Sequence, residues 1–143
     1  MSEDLELTYV ETPPTPEEYN HLRKTIGWGG YADLADVARG LQATCFCVSV
    51  YQAGEIVAMG RVIGDGVLVF YIQDVIVLPE YQKRGIGAQI MSRIMDYIDA
   101  HAVQNSYVGL MSAIGKEGFY DKFGFTRRPT DKLGCGMTLV VSR

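Results

Sequence analysis

Leu5, Leu7 and Tyr9 are interleaved with Glu6, Thr8 and Val10, a two-residue period that predicts an opening strand. Pro13, Pro14 and Pro16 interrupt it. Thr15 followed by Pro16, Glu17 and Glu18 reads as a helix N-cap, a first-position proline and an acidic first turn. That helix is predicted to run to about Ile26, where Gly27-Trp28-Gly29-Gly30 breaks it. Leu34, Val37, Ala38 and Leu41 fall at helical spacing and predict a second helix from Ala32 to about Leu41.

The next part of the chain is β-rich. Residues 44–51 and 55–63 flank Gln52-Ala53-Gly54, the pattern of a hairpin, and Gly64-Asp65-Gly66 marks a second turn. Residues 67–78 are rich in β-branched and aromatic side chains and predict a long strand. Its apolar run Val75-Ile76-Val77 implies a central strand covered on both faces. Beyond Pro79, Ile86, Ile90, Ile94 and Ile98 recur every four residues with Met91 and Met95 beside them, predicting a long helix packed on the sheet. A short strand over 107–111, a helical turn over 118–123 ended by Gly124, and a closing strand over 136–141 complete the pattern. With no repeat, low-complexity segment or linker, residues 1–143 read as one α/β (α+β-like) domain.

Composition narrows the function classes. The chain has 143 residues, 48% of them hydrophobic, enough for one compact core. A formal charge of -4 disfavours nucleic-acid binding through a broad basic face. No apolar run is long enough to span a bilayer, and Met1-Ser2-Glu3-Asp4 lacks a signal core. Three cysteines suit free thiols in a reducing cytoplasm rather than a disulfide framework. Cys45, Cys47 and two histidines fall short of a metal-ligand pattern, so no metal is expected.

Chemistry concentrates after the central strand. Gln82-Lys83-Arg84-Gly85-Ile86-Gly87-Ala88 is a basic, glycine-containing loop that opens a helix. The first helical turn has unpaired N–H groups and partial positive charge, and glycines let backbone approach an oxyanion. The spacing alone is compatible with a phosphate site or with a tight strand-to-helix turn. The dinucleotide fingerprint fails, because Ile90 stands where its third glycine belongs, and the Gly-Lys-Ser/Thr of a Walker loop is absent.

Gln82-x-x-Gly85-x-Gly87 after Val75-Ile76-Val77 resembles the coenzyme A motif of the GNAT superfamily of N-acetyltransferases. Phe119-Tyr120-Asp121-Lys122-Phe123-Gly124-Phe125 resembles a second segment of that family. The resemblance implies a single GNAT-type domain, a mixed, mostly antiparallel central sheet flanked by helices. It implies that Val75, Ile76 and Val77 pair with the pantetheine arm of acetyl-coenzyme A, and that Gln82, Lys83, Arg84, Gly85, Ile86, Gly87 and Ala88 wrap its pyrophosphate. Two catalytic roles follow in the same way: the Ile76 N–H toward the thioester carbonyl, and Tyr120 as acid toward the leaving thiolate. Lys116 and Met111-Ser112-Ala113 depart from the family pattern.

The implied reaction moves acetyl directly to a primary amine, expected to be a small molecule. A non-catalytic acyl-coenzyme A sensor and a lysine or N-terminal acetyltransferase of proteins are the alternatives. Trp28, Tyr31, Tyr71 and Asp74 are the acceptor-side residues. Trp28 and Tyr31 suit either an aromatic pocket for an amine or anchors that close a loop. Asp74 suits either a proton acceptor or a structural carboxylate. A homodimer is compatible with the habits of the fold.

Overall fold

The computed structural model describes residues 6–143, so the expectation for Leu5 lies outside the described residues. The chain forms two compact units, one ending at Gly109 and the other spanning Leu110–Arg143.

In the first unit, β1 (Leu7–Val10) leads to α1 (Pro16–Thr25) and α2 (Leu34–Gln42). Thr15 caps α1 as expected. Its hydroxyl accepts from the Glu18 N–H at 3.1 Å, while the Glu18 carboxylate accepts from the Thr15 N–H at 2.9 Å. α2 begins two residues later than predicted. The Asp33 carboxylate accepts from the Ala35 N–H at 2.9 Å, which makes Asp33 the N-cap and leaves Ala32 outside.

β2 (Phe46–Gln52) and β3 (Glu55–Gly64) join through Ala53-Gly54, both at positive φ (52° and 80°), as a two-residue hairpin turn requires. β4 (Val69–Val77) starts later than predicted for a local reason. One oxygen of Asp65 accepts from the N–H groups of Val67, Leu68 and Val69, so the chain turns there before it can extend. These three bonds stabilise the charged carboxylate and lower the Asp65 pKa.

After β4 come a single 3₁₀ turn at Pro79–Tyr81, the long helix α3 (Ile86–His101) and β5 (Tyr107–Leu110). The five strands lie in the order β1-β2-β3-β4-β5, and β1 to β4 pair antiparallel. The Tyr107 N–H donates to the Leu68 carbonyl at 2.8 Å, so β4 and β5 start side by side and run the same way after the α3 crossover. The sheet is therefore mixed and mostly antiparallel, as the resemblance implies.

The register divides the core. Tyr19, Leu22, Val37 and Leu41 from α1 and α2 pack with Cys47, Met59 and Ile76. The four isoleucines of α3 are all buried, as their spacing predicts, and Ile90 and Ile94 lie against Gly60 on the other face. A β-carbon on Gly60 would stand 2.6 Å from Ile90 Cγ2 and 3.1 Å from Ile94 Cδ1, so glycine here lets the helix touch the sheet. Buried Cys47 has its thiol pKa pushed up to about 12, chiefly by burial, and stays an inert thiol.

The second unit holds the short helix α4 (Glu117–Asp121), shorter than the predicted 118–123 at its C-terminal end, followed by Gly124 at φ 90°. The closing strand predicted over 136–141 is not formed. A strand needs a partner for its backbone groups, and this segment joins no ladder; Met137, Leu139 and Val140 are 86%, 86% and 89% exposed. Among the described residues, no helix is long and apolar enough to cross a membrane.

Replacing Gly60 with alanine forces a methyl into that contact. We expect a loss of about 1–3 kcal/mol, the usual cost of overpacking, read as a lower urea midpoint with the same denaturant slope.

Candidate active site

β4 is irregular where the chemistry is expected. Its pairing with β3 runs Val62↔Ile72 and Arg61↔Gln73, then resumes at Met59↔Ile76. Asp74 and Val75 thus oppose Gly60 alone, which is a β-bulge, and Asp74 takes φ 55°. For a non-glycine residue that backbone is strained and must be held by its surroundings. The bulge changes which side chains share a face: Val75 approaches Gly60 on the α3 side, while Asp74 joins Arg61 beneath α1. β5, only four residues long, starts opposite Leu68, so it flanks the first half of β4 and leaves the edge around Ile76 and Val77 without a neighbouring strand in this unit.

At the end of β4, the side-chain amide of Gln82 donates to the Val77 carbonyl at 2.9 Å and folds the loop back on the strand. Lys83 sits at φ 63° and Gly85 at φ 83°. Gly85 is the N-cap of α3 and offers no side-chain cap, so the N–H groups of Ile86, Gly87 and Ala88 open the helix without a side-chain acceptor. Alternating left-handed residues ahead of a helix turn successive N–H groups to one side, a form suited to an anion. Lys83 and Arg84 are exposed, and Arg84 lies over the Tyr81 ring at 5.7 Å. The predicted loop residues are thus brought together at one helix start.

Asp74 is fully buried in its side chain and crowded with donors. Its Oδ2 accepts from the Tyr19 hydroxyl at 2.6 Å and Arg61 Nε at 2.9 Å. Its Oδ1 accepts from Arg23 Nη1 at 2.8 Å. A carboxylate so occupied has little room to take a proton from an acceptor. The Tyr19 phenol is raised well above its usual pKa, first by burial and then by the Asp74 charge, so it remains a donor.

Arg23 ties Asp74 to the other predicted residues. Its guanidinium lies 5.7 Å from the Tyr19 ring, 5.7 Å from Trp28 and 5.4 Å from Tyr31, while its Nε donates to the Gly29 carbonyl at 3.0 Å. Asn20 pins the same loop, bonding the Tyr31 carbonyl at 2.8 Å and the Tyr31 N–H at 3.0 Å. Tyr71 pairs with Ile63, two positions from the Arg61–Gln73 pair, so it shares their face. It lies toward the β5 end, beside Tyr107 and Gly109.

Tyr19, Arg23 and Arg61 were not among the residues singled out from the sequence. Arg23 stands four positions after Tyr19 on α1, and Arg61 interrupts the apolar pattern of β3; both are weak signals of an inward-facing charge. Tyr120 belongs to the second unit, where its ring meets Phe119 and Phe125 edge-on. Burial raises its pKa, so the phenol holds its proton through the neutral range. Among the described residues, no three metal-binding side chains converge.

A bulged, mostly antiparallel sheet feeding a basic, uncapped helix start makes this an α/β domain with a candidate ligand site at the end of its central strand. A family model for the acetyltransferase (GNAT) domain matches residues 28–140, and the chain belongs to that family. Members of the family are acyltransferases that use acetyl-coenzyme A as co-substrate. The chain is 36% identical over 99 residues to a chloroplastic GCN5-related N-acetyltransferase 1 of Arabidopsis thaliana, covering 68% of this chain and 49% of the relative. It is 35% identical over 78 residues to a chloroplastic serotonin N-acetyltransferase 2 of Oryza sativa subsp. japonica, covering 54% and 38%. The chain thus spans about half or less of these curated relatives.

A protein of unknown function from meticillin-resistant Staphylococcus aureus, described as a probable acetyltransferase, superposes with a TM-score of 0.86 at 36% identity. The match covers 94% of this chain and 99% of that one. AAC(6')-Iy in complex with a bisubstrate analogue of coenzyme A shares the fold, with a TM-score of 0.65 at 17% identity over 96% and 98% of the two chains.

Replacing Asp74 with asparagine leaves two largely buried guanidiniums without their counter-charge. Loss of one partner from a buried pair costs about 3–5 kcal/mol; because Arg23 and Arg61 keep some solvent contact, the lower end is expected in urea unfolding.

Proposed function

We propose that this protein is an N-acetyltransferase that transfers acetyl from acetyl-coenzyme A directly to a small-molecule primary amine. The observation that carries this reading is the continuity of the bulged, open-edged end of β4 with the uncapped basic loop at the start of α3. A cofactor with an amide-bearing arm and a pyrophosphate needs both features, in that order along the chain.

Acetyl-coenzyme A supplies an activated thioester. Val75, Ile76 and Val77 present backbone groups to the pantetheine arm, and the Ile76 N–H donates to the carbonyl oxygen where negative charge grows. Gln82, Lys83, Arg84, Gly85, Ile86, Gly87 and Ala88 hold the pyrophosphate through N–H groups and two cations. Tyr120 hydrogen-bonds and protonates the departing thiolate sulfur. No cysteine lies in either motif, so acetyl passes straight to the amine without an acyl-cysteine step.

Residues 1–143 act as one domain in this reading. The exposed apolar run over 137–141 supports a homodimer, and the three free cysteines support a reducing compartment such as the cytoplasm. The acceptor side consists of Trp28, Tyr31, Tyr71 and Asp74, with Asp74 acting through the arginines that surround it.

The test is thiol release from acetyl-coenzyme A over a panel of primary amines. Tight cofactor binding without release from any amine would leave a sensor rather than an enzyme. Tyr120→Phe is expected to lower kcat about 100-fold while the calorimetric affinity for coenzyme A is unchanged. The raised Tyr120 pKa also fixes the pH dependence. The proton-donating form persists below the ordinary phenol pKa, so no loss of rate from this group is expected until pH exceeds about 10. A kcat that Tyr120→Phe leaves unchanged would overturn the acid role, and a fall between pH 7 and 9 that persists in Tyr120→Phe belongs to another group.

A further inference from the structure

The cluster beneath α1 carries one carboxylate, Asp74, against two guanidiniums, Arg23 and Arg61, and so keeps one positive charge in excess. Tyr19 is held neutral and donates to Asp74. Among the described residues, the groups that face the cluster from neighbouring elements add no further carboxylate. β2 brings the protonated Cys47 thiol, the segment between α2 and β2 brings the Thr44 hydroxyl, and β4 brings the Gln73 amide.

The arginines are not saturated. Each guanidinium has five N–H donors. Arg23 uses Nε on Gly29 and Nη1 on Asp74; Arg61 uses Nε on Asp74 and Nη1 on Thr44, and its guanidinium also lies against Tyr19, 5.6 Å from the ring centroid. Among the described residues, neither Nη2 meets a carboxylate or carbonyl. With side chains 14% and 15% exposed, the two cations are largely desolvated but keep some solvent contact.

The aromatic rim leads to the same conclusion. Trp28 and Tyr31 would suit a cationic amine, but the Arg23 guanidinium already lies against both rings. A second cation brought there would meet repulsion, and Asp74 is engaged by the arginines.

We infer that Arg23 and Arg61 form a specificity site for an anionic group, carboxylate or phosphate, on the acceptor amine. This rests on the acetyltransferase reading. Asp74 lies two residues before Ile76, at most about 7 Å along the chain across the bulge, so an anion held beside it is a few bonds from a nitrogen reacting at the Ile76 N–H. The acceptor is thus a short amino acid or an aminoalkyl phosphate rather than a simple amine. Arg23 and Arg61 select it by charge-assisted bonds from their spare amino groups. They also remain clamped on Asp74.

The experiment compares matched pairs: β-alanine with β-alaninamide, and phosphoethanolamine with ethanolamine. Wild-type kcat/KM is expected to favour the anionic member of at least one pair by about 10-fold or more, the carboxylate and phosphate pairs distinguishing the two sources. Arg61→Gln and Arg23→Gln should bring that ratio close to one, and Arg23→Lys should restore part of it should the glutamine variant fold poorly. Equal or better use of the neutral members by the wild type overturns the inference and leaves the acetyltransferase reading intact.

Binding gives a readout independent of turnover, because Trp28 is the only tryptophan in the chain and lies against Arg23. Titration of coenzyme A-loaded protein with the same pairs should change Trp28 fluorescence saturably for an anionic member alone, and less in Arg61→Gln. If no amine is acetylated but this response appears, the anion site stands and the acetyltransferase reading fails. If there is no response, or an equal one from neutral members, the site is refuted.

Discussion

Asp74 is held in a left-handed backbone conformation by three charge-assisted or hydroxyl hydrogen bonds from two directions. Arg61 approaches from the neighbouring strand, Tyr19 and Arg23 from the helix above. A bulge in a strand is a local strain, and here the strain is stabilised by an ion-pair cluster rather than by glycine. The rest of the site depends on this. The bulge sets the direction of the strand at Ile76, and the same carboxylate fixes α1, whose Arg23 and Asn20 hold the Trp28–Tyr31 loop. One buried charge therefore joins the predicted oxyanion position to the predicted acceptor side.

The opposite face works by contact instead of charge. α3 packs its isoleucines on Gly60 and Val75. Its N-terminus carries the basic loop, and Gln82 bonds the end of β4. The bulge is organised by ion pairs, whereas the loop at the end of the same strand is organised by apolar packing and uncapped N–H groups.

Much of this was legible in the sequence. The four-residue isoleucine period required α3, Thr15 with Pro16 and the acidic first turn required the start of α1, and the glycine loop was legible as the turn that opens α3, a phosphate site being one of its two readings. What was not legible depends on long-range pairing. Asp74 and Arg23 are 51 residues apart, so nothing local in either shows that they meet. The bulge was hidden for the same reason: Asp74-Val75 reads as ordinary strand until Gly60 is placed opposite. The 136–141 segment misled in reverse, since its β-forming side chains satisfy a propensity without supplying a ladder. The aromatic residues Trp28 and Tyr31 were found, but the cation they hold proved to be the protein's own.

The absence of a methyl at Gly60 has a consequence for how the chain tolerates change in length. With helix and sheet in direct contact, Ile90 and Ile94 cannot slide along β3 and β4 to take up slack. Adding or removing one residue inside the first turn of α3, between Ile86 and Ile90, would rotate the isoleucines beyond it by about 100° relative to the helix start and carry that stripe off the sheet. Insertions should therefore be accepted at the exposed Ala53-Gly54 turn, whereas the first turn of α3 has a fixed length.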